Sequence, residues 1–308
     1  MVIARIMNAL ALLVVPFLLL GIVNRTKSLW SGRKGPPILQ SAYDVLRLLR
    51  KAPVYSTTTT PLFRVAPWVF LLTAVGSAVV TPLLGSDAMA SFSFDFVWFA
   101  YVWALGRVAV MLAALDTGSS FEGMGAAREA TFSALLEPAL FLMAGAFCLS
   151  SGSRTLSQIL VVHLSPYDAS LVIWLCGVTT LFIVLQVETA RMPVDDPSTH
   201  LELTMVHEVM VLDHSGPDLA AIQVGSAIKF YVGAAVLATL LNPWAGSFGP
   251  VSAGVNLIFC ALVAVAVGTV ESLIARLKLK TVPKYIVVAL TSAAVALLAT
   301  AWRAGGAR

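Results

Sequence analysis

Six ionisable residues stand within, or at the end of, long apolar stretches of this 308-residue chain. Charged side chains are costly inside a bilayer, so those in spanning helices commonly carry protons, bind ions or form ion pairs. A carboxyl group that is withdrawn from water holds its proton more tightly, which permits proton exchange near neutral pH. The six residues are Arg107, Asp116, Glu137, Glu188, Lys229 and Glu271.

Two interpretations of these residues remain open. In the first, Glu137 and Glu271 bind and release protons or couple ion movement. In the second, they form structural ion pairs with Lys229 or Arg107. Asp116 and Arg107 are nearer to the ends of the apolar stretches, which favours a structural role for both.

The composition predicts an integral membrane protein rather than a soluble enzyme. Hydrophobic residues make up 58% of the chain and charged residues 12%, whereas a soluble domain has roughly a quarter charged residues. About 20 apolar residues are needed to span a bilayer, and no long polar insertion separates such stretches. The chain, residues 1–308, is therefore predicted to be one all-α membrane domain. Its eight predicted spans are 2–23, 65–84, 94–114, 131–151, 168–187, 221–241, 251–273 and 284–302.

Basic residues predict the orientation, because they concentrate in cytoplasmic loops. They are dense in 24–64 and in 276–284, and absent from 85–93 and 242–250. Eight spans place both basic segments on the cytoplasmic side of the inner membrane. Both termini are then outside, and the loops 24–64, 115–130, 188–220 and 276–283 face the cytoplasm.

Two of the cytoplasmic segments have patterns of their own. Residues 38–51 carry apolar side chains at helical spacing over too short a length to span, which predicts an amphipathic interfacial helix. Residues 188–218 form an acidic loop that could carry protons or bind a basic partner. Alternatively, it is a solvated loop with helix caps, since Asp196 before Pro197 resembles an N-cap. Its acidic residues are Glu188, Asp195, Asp196, Glu202, Glu208 and Asp213.

Several kinds of site are not predicted for this chain. His200, His207 and His214 recur every seven residues, and on one helix they would be about 10 Å apart, too far to bind one metal ion. The three cysteines are widely separated, and the glycines form no nucleotide-binding pattern. We therefore expect no metal, cofactor or nucleic acid bound by this chain.

Three segments together resemble a known family. They are Gly32 to Pro37 with Gln40 and Asp44, the stretch from Asp116 to Ala130 that leads to Glu137, and the stretch from Glu188 to Gly216. In this order the chain resembles the subunit 1 family of respiratory complex I. It is more similar to the hydrogenase branch, which includes formate hydrogenlyase subunit 4 and the membrane anchors of energy-converting [NiFe] hydrogenases.

The resemblance implies eight spans and a non-catalytic subunit of an oxidoreductase complex. The [NiFe] site and iron–sulfur clusters would lie in partners: hydrogenase-like large and small subunits and an iron–sulfur subunit, beside antiporter-like membrane subunits. It implies proton or ion coupling at Glu137, Glu188, Asp195, Glu202 and Glu271, with Lys229. Docking of the soluble module is expected at Arg33, Lys34, Gln40, Asp44, Arg128, Arg191 and Asp196.

One departure from the family pattern falls in the acidic loop. His200 stands where the family has a glutamate, and an insertion at 203–210 lengthens the approach to Ser215 and Gly216. The departure suggests a distinct sub-branch. Two alternatives to a hydrogenase coupling subunit stay open, namely a quinone-site subunit of a complex I-like NADH dehydrogenase and a stand-alone ion transporter.

Overall fold

The chain folds into helices. The computed structural model describes residues 2–162, 169–195, 205–247 and 249–306. Within these ranges there are eleven helices and no strand. They are α1 (Val2–Trp30), α2 (Gln40–Leu49), α3 (Pro61–Val80), α4 (Asp95–Asp116), α5 (Ser120–Ser151), α6 (Leu156–Ile159), α7 (Ser170–Glu188), α8 (His207–Met210), α9 (Gly216–Leu241), α10 (Pro250–Leu273) and α11 (Val282–Gly306).

Eight of the described helices are long and apolar enough to cross a membrane, namely α1, α3, α4, α5, α7, α9, α10 and α11. Their mean hydropathy over 18 residues lies between 1.7 and 2.6. The expectation of an all-α, multi-pass membrane protein with about eight spans is confirmed.

Helix α9 is the centre of the bundle. It packs against α1, α2, α3, α7 and α10, and 83% of its most apolar window is buried within the chain. Helix α3 lies beside α4, α11 lies beside α5 and α7, and α1 lies beside α10. The fully buried side chains Phe230 and Tyr231 fill the interior at the middle of α9. Lys229, which is 4% exposed on this helix, is therefore held away from lipid.

Local sequence explains where the helices begin and end. Thr60 caps α3, because its hydroxyl accepts a hydrogen bond from the Leu62 amide at 3.3 Å and Pro61 follows at the first helical position. Gly152 adopts a left-handed conformation (φ 67°) after α5 and ends that helix. These signals fix the ends of spans that are otherwise continuous apolar sequence.

Helix α2 lies in the segment that the sequence predicts to be amphipathic. Val45 is buried, and the helix packs on α1 and α9. Tyr43, Leu46 and Leu49 are each more than half exposed. A short helix with one face on the bundle and an apolar outer face suits the membrane interface or a partner surface.

Two predicted helix ends and the predicted position of one residue were wrong. Residues 115–130 were expected to form a loop, but α5 begins at Ser120, so Arg128 belongs to a helix. Helix α1 continues seven residues beyond the predicted end at 23, to Trp30. Arg107 lies in the middle of α4 and is buried, not near a boundary. The first two errors have one cause: polar residues were taken to end a helix, although the helix continues beyond the apolar stretch.

The close approach of α3 and α4 depends on Gly106. A Cβ atom at this position would lie 2.2 Å from the Thr73 hydroxyl oxygen. We expect Gly106→Val to lower the free energy of unfolding by about 1–3 kcal/mol, because overpacking forces the helices apart. Thermal unfolding in detergent measures the change. Gly145→Val is the control, since a Cβ atom there meets nothing within 4 Å; equal midpoints for the two variants would contradict the prediction.

Candidate functional site

Four ionisable side chains from four helices form a buried charge network. Arg107 of α4 donates to Glu188, at the end of α7, and to Glu137 of α5 at 2.7 Å. Lys229 of α9 donates to the other oxygen of Glu188 at 3.1 Å. These residues, Arg107, Glu137, Glu188 and Lys229, are called the charge network below. They connect the central helix α9 to three of the surrounding spans.

Burial in the network is uneven. The side chains of Arg107, Glu188 and Lys229 are 7%, 4% and 5% exposed, whereas that of Glu137 is 45% exposed. The Lys229 ammonium also lies 5.1 Å from the centre of the Trp103 ring. An ion removed from water is held only where partners compensate for its lost hydration, and here each buried charge has an opposite charge and hydrogen bonds. Glu137 is the end of the network that opens to the surface of the chain.

A fifth charged residue belongs to the same region. Glu129 lies two turns before Glu137 on α5 and interacts electrostatically with Arg107, Glu188 and Lys229. It forms no ion pair with any residue in the described part of the chain. Among the described residues, the three carboxylates of Glu129, Glu137 and Glu188 therefore surround the two cations Arg107 and Lys229.

A polar cavity of about 450 Å³ lies beside the charge network. It is bounded by α1, α2, the segment that follows α7, α8 and α9. Its polar lining includes Asp44, Lys51, Asp195, His207 and Gln223. A cavity of this size and lining can hold water or a polar group of a ligand.

Asp195 joins the cavity to the residues around α8. Its Oδ2 accepts hydrogen bonds from the amides of Val206 (3.1 Å) and His207 (2.9 Å), and its Oδ1 accepts one from Arg276 (2.7 Å). The carboxylate is 2% exposed. These bonds hold the start of α8 against the segment after α7, and so fix one wall of the cavity.

Glu271 is paired, but not with either predicted cation. Its carboxylate is fully buried and lies 3.0 Å from the Lys27 ammonium and 3.4 Å from the Arg191 guanidinium. Arg191 also lies over the Phe230 ring at 5.2 Å. This second cluster ties α1 and α10 to the segment after α7, on another side of the same cavity.

Outside the spans, burial and neighbouring groups change two pKa values near the start of α9. Burial lowers the pKa of His214 to about 4, and its ring stacks on Phe63 with 4.0 Å between centres. Burial and a hydrogen bond to Asp218 (2.8 Å) raise the pKa of Tyr55. The Asp218 carboxylate also accepts from Trp68 at 3.2 Å. This group of contacts holds α3 and α9 together and is separate from the charge network.

The predicted docking residues that the structure describes lie in different settings. Arg33 and Lys34 are exposed after α1, and Gln40 donates to Asp44 within α2 at 2.9 Å. Arg128 donates to the Met205 carbonyl at 2.7 Å, so it braces the segment before α8. The predicted sites Asp196 and Glu202, and His200, lie outside the described residues.

Sequence reasoning missed Glu129 and Lys27, and it set His207 aside. Both omissions result from helix ends that were predicted at the wrong residues. Had α5 been started at Ser120, Glu129 would have fallen two turns from Glu137 on a similar face. Had α1 been extended to Trp30, Lys27 would have been recognised as a cation on a spanning helix. His207 has no such signal, because only the fold brings α8 against the charge network.

Glu188 is the residue on which the charge network depends for stability. We expect Glu188→Gln to cost about 3–5 kcal/mol of unfolding free energy, because Arg107 and Lys229 would both lose a buried partner. Glu137→Gln serves as the control and should cost much less, since Arg107 keeps Glu188 and Glu137 is half exposed. Urea unfolding in detergent compares the two; an equal loss would show that the buried pairs do not carry this stability.

Curated relatives are found among membrane subunits of redox complexes. The chain is 29% identical to "Hydrogenase-4 component C" of Escherichia coli (strain K12), over 79% of this chain and 76% of that protein. It is 28% identical to "Formate hydrogenlyase subunit 4" of the same organism, over 91% and 92%. Identity to an NADH-quinone oxidoreductase subunit of Rickettsia africae (strain ESF-5) is 27%, over 60% and 57%.

A solved structure and a family model agree with these relatives. The fold matches a chain in the structure of the membrane-bound sulfane sulfur reductase, an archaeal respiratory membrane complex, with a TM-score of 0.80. That match covers 97% of this chain and 98% of the other at 18% identity, so it concerns the fold alone. The family model described as NADH dehydrogenase matches residues 3–301. The chain therefore belongs to the NADH dehydrogenase family, the complex I subunit 1-like membrane proteins that its motifs resemble.

Proposed function

We propose that this chain is the membrane-anchor and coupling subunit of an energy-converting [NiFe] hydrogenase complex of the formate hydrogenlyase type. It docks the soluble redox module and links electron transfer there to translocation of protons or sodium. The relatives that match over most of both chains are named as hydrogenase-4 and formate hydrogenlyase subunits, which supports this branch. The [NiFe] centre and iron–sulfur clusters belong to the partners.

One observation carries the coupling role: the buried charge network adjoins the polar cavity, whose lining includes Thr189, the residue after Glu188. Asp195, which lines the cavity, interacts electrostatically with Glu129, and Glu129 interacts with Arg107 and Glu188. A change of charge in or above the cavity can therefore change the proton affinity of carboxylates within the bundle. A redox module bound over the cavity would supply that change.

The exposed end of the charge network supports a membrane partner. The Glu137 side chain is 45% exposed although it lies in a spanning helix. An ionised carboxylate facing lipid is costly, so a neighbouring subunit at this surface would lower the free energy of the assembly. An antiporter-like membrane subunit is the partner proposed for this position.

In the proposed orientation, the surface that contacts the soluble module faces the cytoplasm, and both termini lie outside the inner membrane. The basic residues after α1 and before α11 support it. The cavity, α2 and α8 are on the side where these basic residues lie. The soluble module would then contact exposed Arg33 and Lys34 together with the outer face of α2.

The coupling role is tested with Glu137→Gln in the assembled complex, reconstituted into liposomes. Arg107 keeps its bond to Glu188, so the fold should survive the change. We expect electron transfer through the soluble module to continue while the number of ions moved per electron falls towards zero. A voltage-sensitive dye and a pH-sensitive dye measure charge and proton movement separately from the redox reaction.

Asp87→Asn is the matched control, because Asp87 is exposed in the loop after α3, far from the charge network along the bundle. It should leave the ion-to-electron ratio unchanged. If Glu137→Gln moves ions at the same ratio as the unaltered complex, the coupling role of the network is wrong.

The cavity favours a second candidate function. The quinone-site alternative requires a tunnel between the first span, the amphipathic helix and the acidic loop, and the polar cavity lies there. A photoreactive quinone analogue on the purified complex distinguishes the two functions. Labelling of peptides from α2 and α9 that is abolished by Ser226→Trp, which would fill the cavity, would favour the quinone site. Absence of labelling in a complex that contains nickel would favour the hydrogenase.

A further inference from the structure

An apolar groove lies between α4 and α5 and reaches into the bundle. Its deep part is lined by Trp103, Met143 and Phe147, which are at most 3% exposed, together with side chains of α7 and α9. Its rim includes Phe96 and Phe141, which are half-buried. Because α4 and α5 are both long and apolar enough to cross the membrane, the rim of this groove is at the level of the bilayer hydrocarbon.

The groove is narrow and elongated. Its volume is about 40 Å³, against about 450 Å³ for the polar cavity. A second cleft shares Ala100, Trp103 and Phe141 with the groove and continues it to Arg107. From Phe96 to Arg107 the groove follows about 16 Å of α4, at 1.5 Å per residue. This length is about half of the ~30 Å hydrocarbon core of a bilayer, so the groove suits one hydrocarbon chain from a single leaflet.

A cation stands at the end of the groove that is away from the charge network. Arg154 is exposed in the segment after α5, two residues before Leu156, which lines the groove. The Phe94 amide donates to the Arg154 carbonyl at 2.7 Å, and the Arg154 guanidinium lies 5.7 Å from the centre of the Phe94 ring. Here α4 begins and α5 ends, at the end of the bundle opposite α2. Aromatic rings and arginines at a membrane boundary are suited to contact lipid headgroups.

We propose that this groove binds one phospholipid, from the leaflet on the side of the bundle opposite α2. One acyl chain lies between α4 and α5 against Trp103 and Phe147, and the phosphate lies at Arg154. The phosphate oxygens accept charge-assisted hydrogen bonds from the guanidinium. This site goes beyond the proposed function and does not depend on which complex the chain belongs to.

Shape and charge favour a lipid over a helix of a neighbouring subunit. A helix with its side chains is about 10–12 Å across, whereas the groove narrows to side chains that are almost fully buried. A single acyl chain can reach them, and the same molecule supplies the anion that complements Arg154. The chain would also cover Trp103, whose ring lies 5.1 Å from the Lys229 ammonium. Bound lipid would therefore exclude water from this side of the charge network.

The test uses phosphatidylglycerol with a photoreactive diazirine in the middle of one acyl chain. This lipid is mixed at increasing mole fraction into nanodiscs that contain the full-length chain, and labelled peptides are measured by mass spectrometry. A bound lipid labels α4 and α5 peptides to a plateau at low mole fraction, whereas bulk lipid labels in proportion to its amount. We expect Ala144→Phe to abolish the plateau, because Ala144 lines the groove and an aromatic ring there would fill it.

Gly145→Phe is the matched control, since it adds the same ring one residue further along α5, where a Cβ atom meets nothing within 4 Å. It should leave the plateau unchanged. Labelling that stays proportional to the mole fraction, or a plateau that survives Ala144→Phe, would overturn the proposal. The plateau should also be present in the assembled complex. Its absence there would mean that a neighbouring subunit fills the groove, which would contradict the lipid site.

Arg154→Gln tests the phosphate position without changing the groove. We expect the mole fraction that gives half of the plateau to rise about fivefold, because one arginine near a lipid headgroup is lost. Arg5→Gln is its control, since Arg5 is an exposed arginine on α1 at the same end of the bundle. Equal half-plateau values for the two variants would show that the phosphate does not lie at Arg154. These measurements record bound lipid and not ion movement, so their failure leaves the proposed function standing.

Discussion

The pairing of Glu188 with both Arg107 and Lys229 is the interaction on which the interior of this bundle depends. Lys229 lies on the most buried helix, and a lone ammonium there would be prohibitively costly. Glu188 can reach it because α7 ends at that residue, and Arg107 approaches from the middle of α4. The relative positions of α4, α7 and α9 are therefore constrained by the need to keep these charges together.

The same arrangement places the charge network where a change of charge in the polar cavity can affect it. Because α7 stops at Glu188, the chain beyond it turns back along the bundle, and Arg191 and Asp195 form buried ion pairs with Glu271 and Arg276. These pairs hold the wall of the polar cavity between α1, α2 and α9. Polar groups thus extend from the cavity to the half-exposed Glu137, through a region that is otherwise apolar.

Much of the fold could be predicted from hydropathy, and the family from three motifs. The eight spans follow from apolar length, and the family model confirms the resemblance. The end of α1, the start of α5 and the partners within the ion pairs could not be predicted, because they depend on tertiary contacts. Gly125 resembles loop sequence, yet it is helical and lets α8 approach. Glu271 could pair with several cations, and the fold brings it to Lys27, in the continuation of α1, and to Arg191. The coupling and docking roles of these residues stay predictions.

The most direct measurement of the central claim, that this chain works within a redox complex, is its composition after purification. The chain would be isolated through an affinity tag in mild detergent, followed by mass spectrometry and metal analysis. The account predicts nickel, iron and large antiporter-like membrane proteins in the same particle. A particle with flavin and quinone but no nickel would instead support the complex I-like alternative. A stable, metal-free 32.6 kDa chain that transports ions alone would contradict the account.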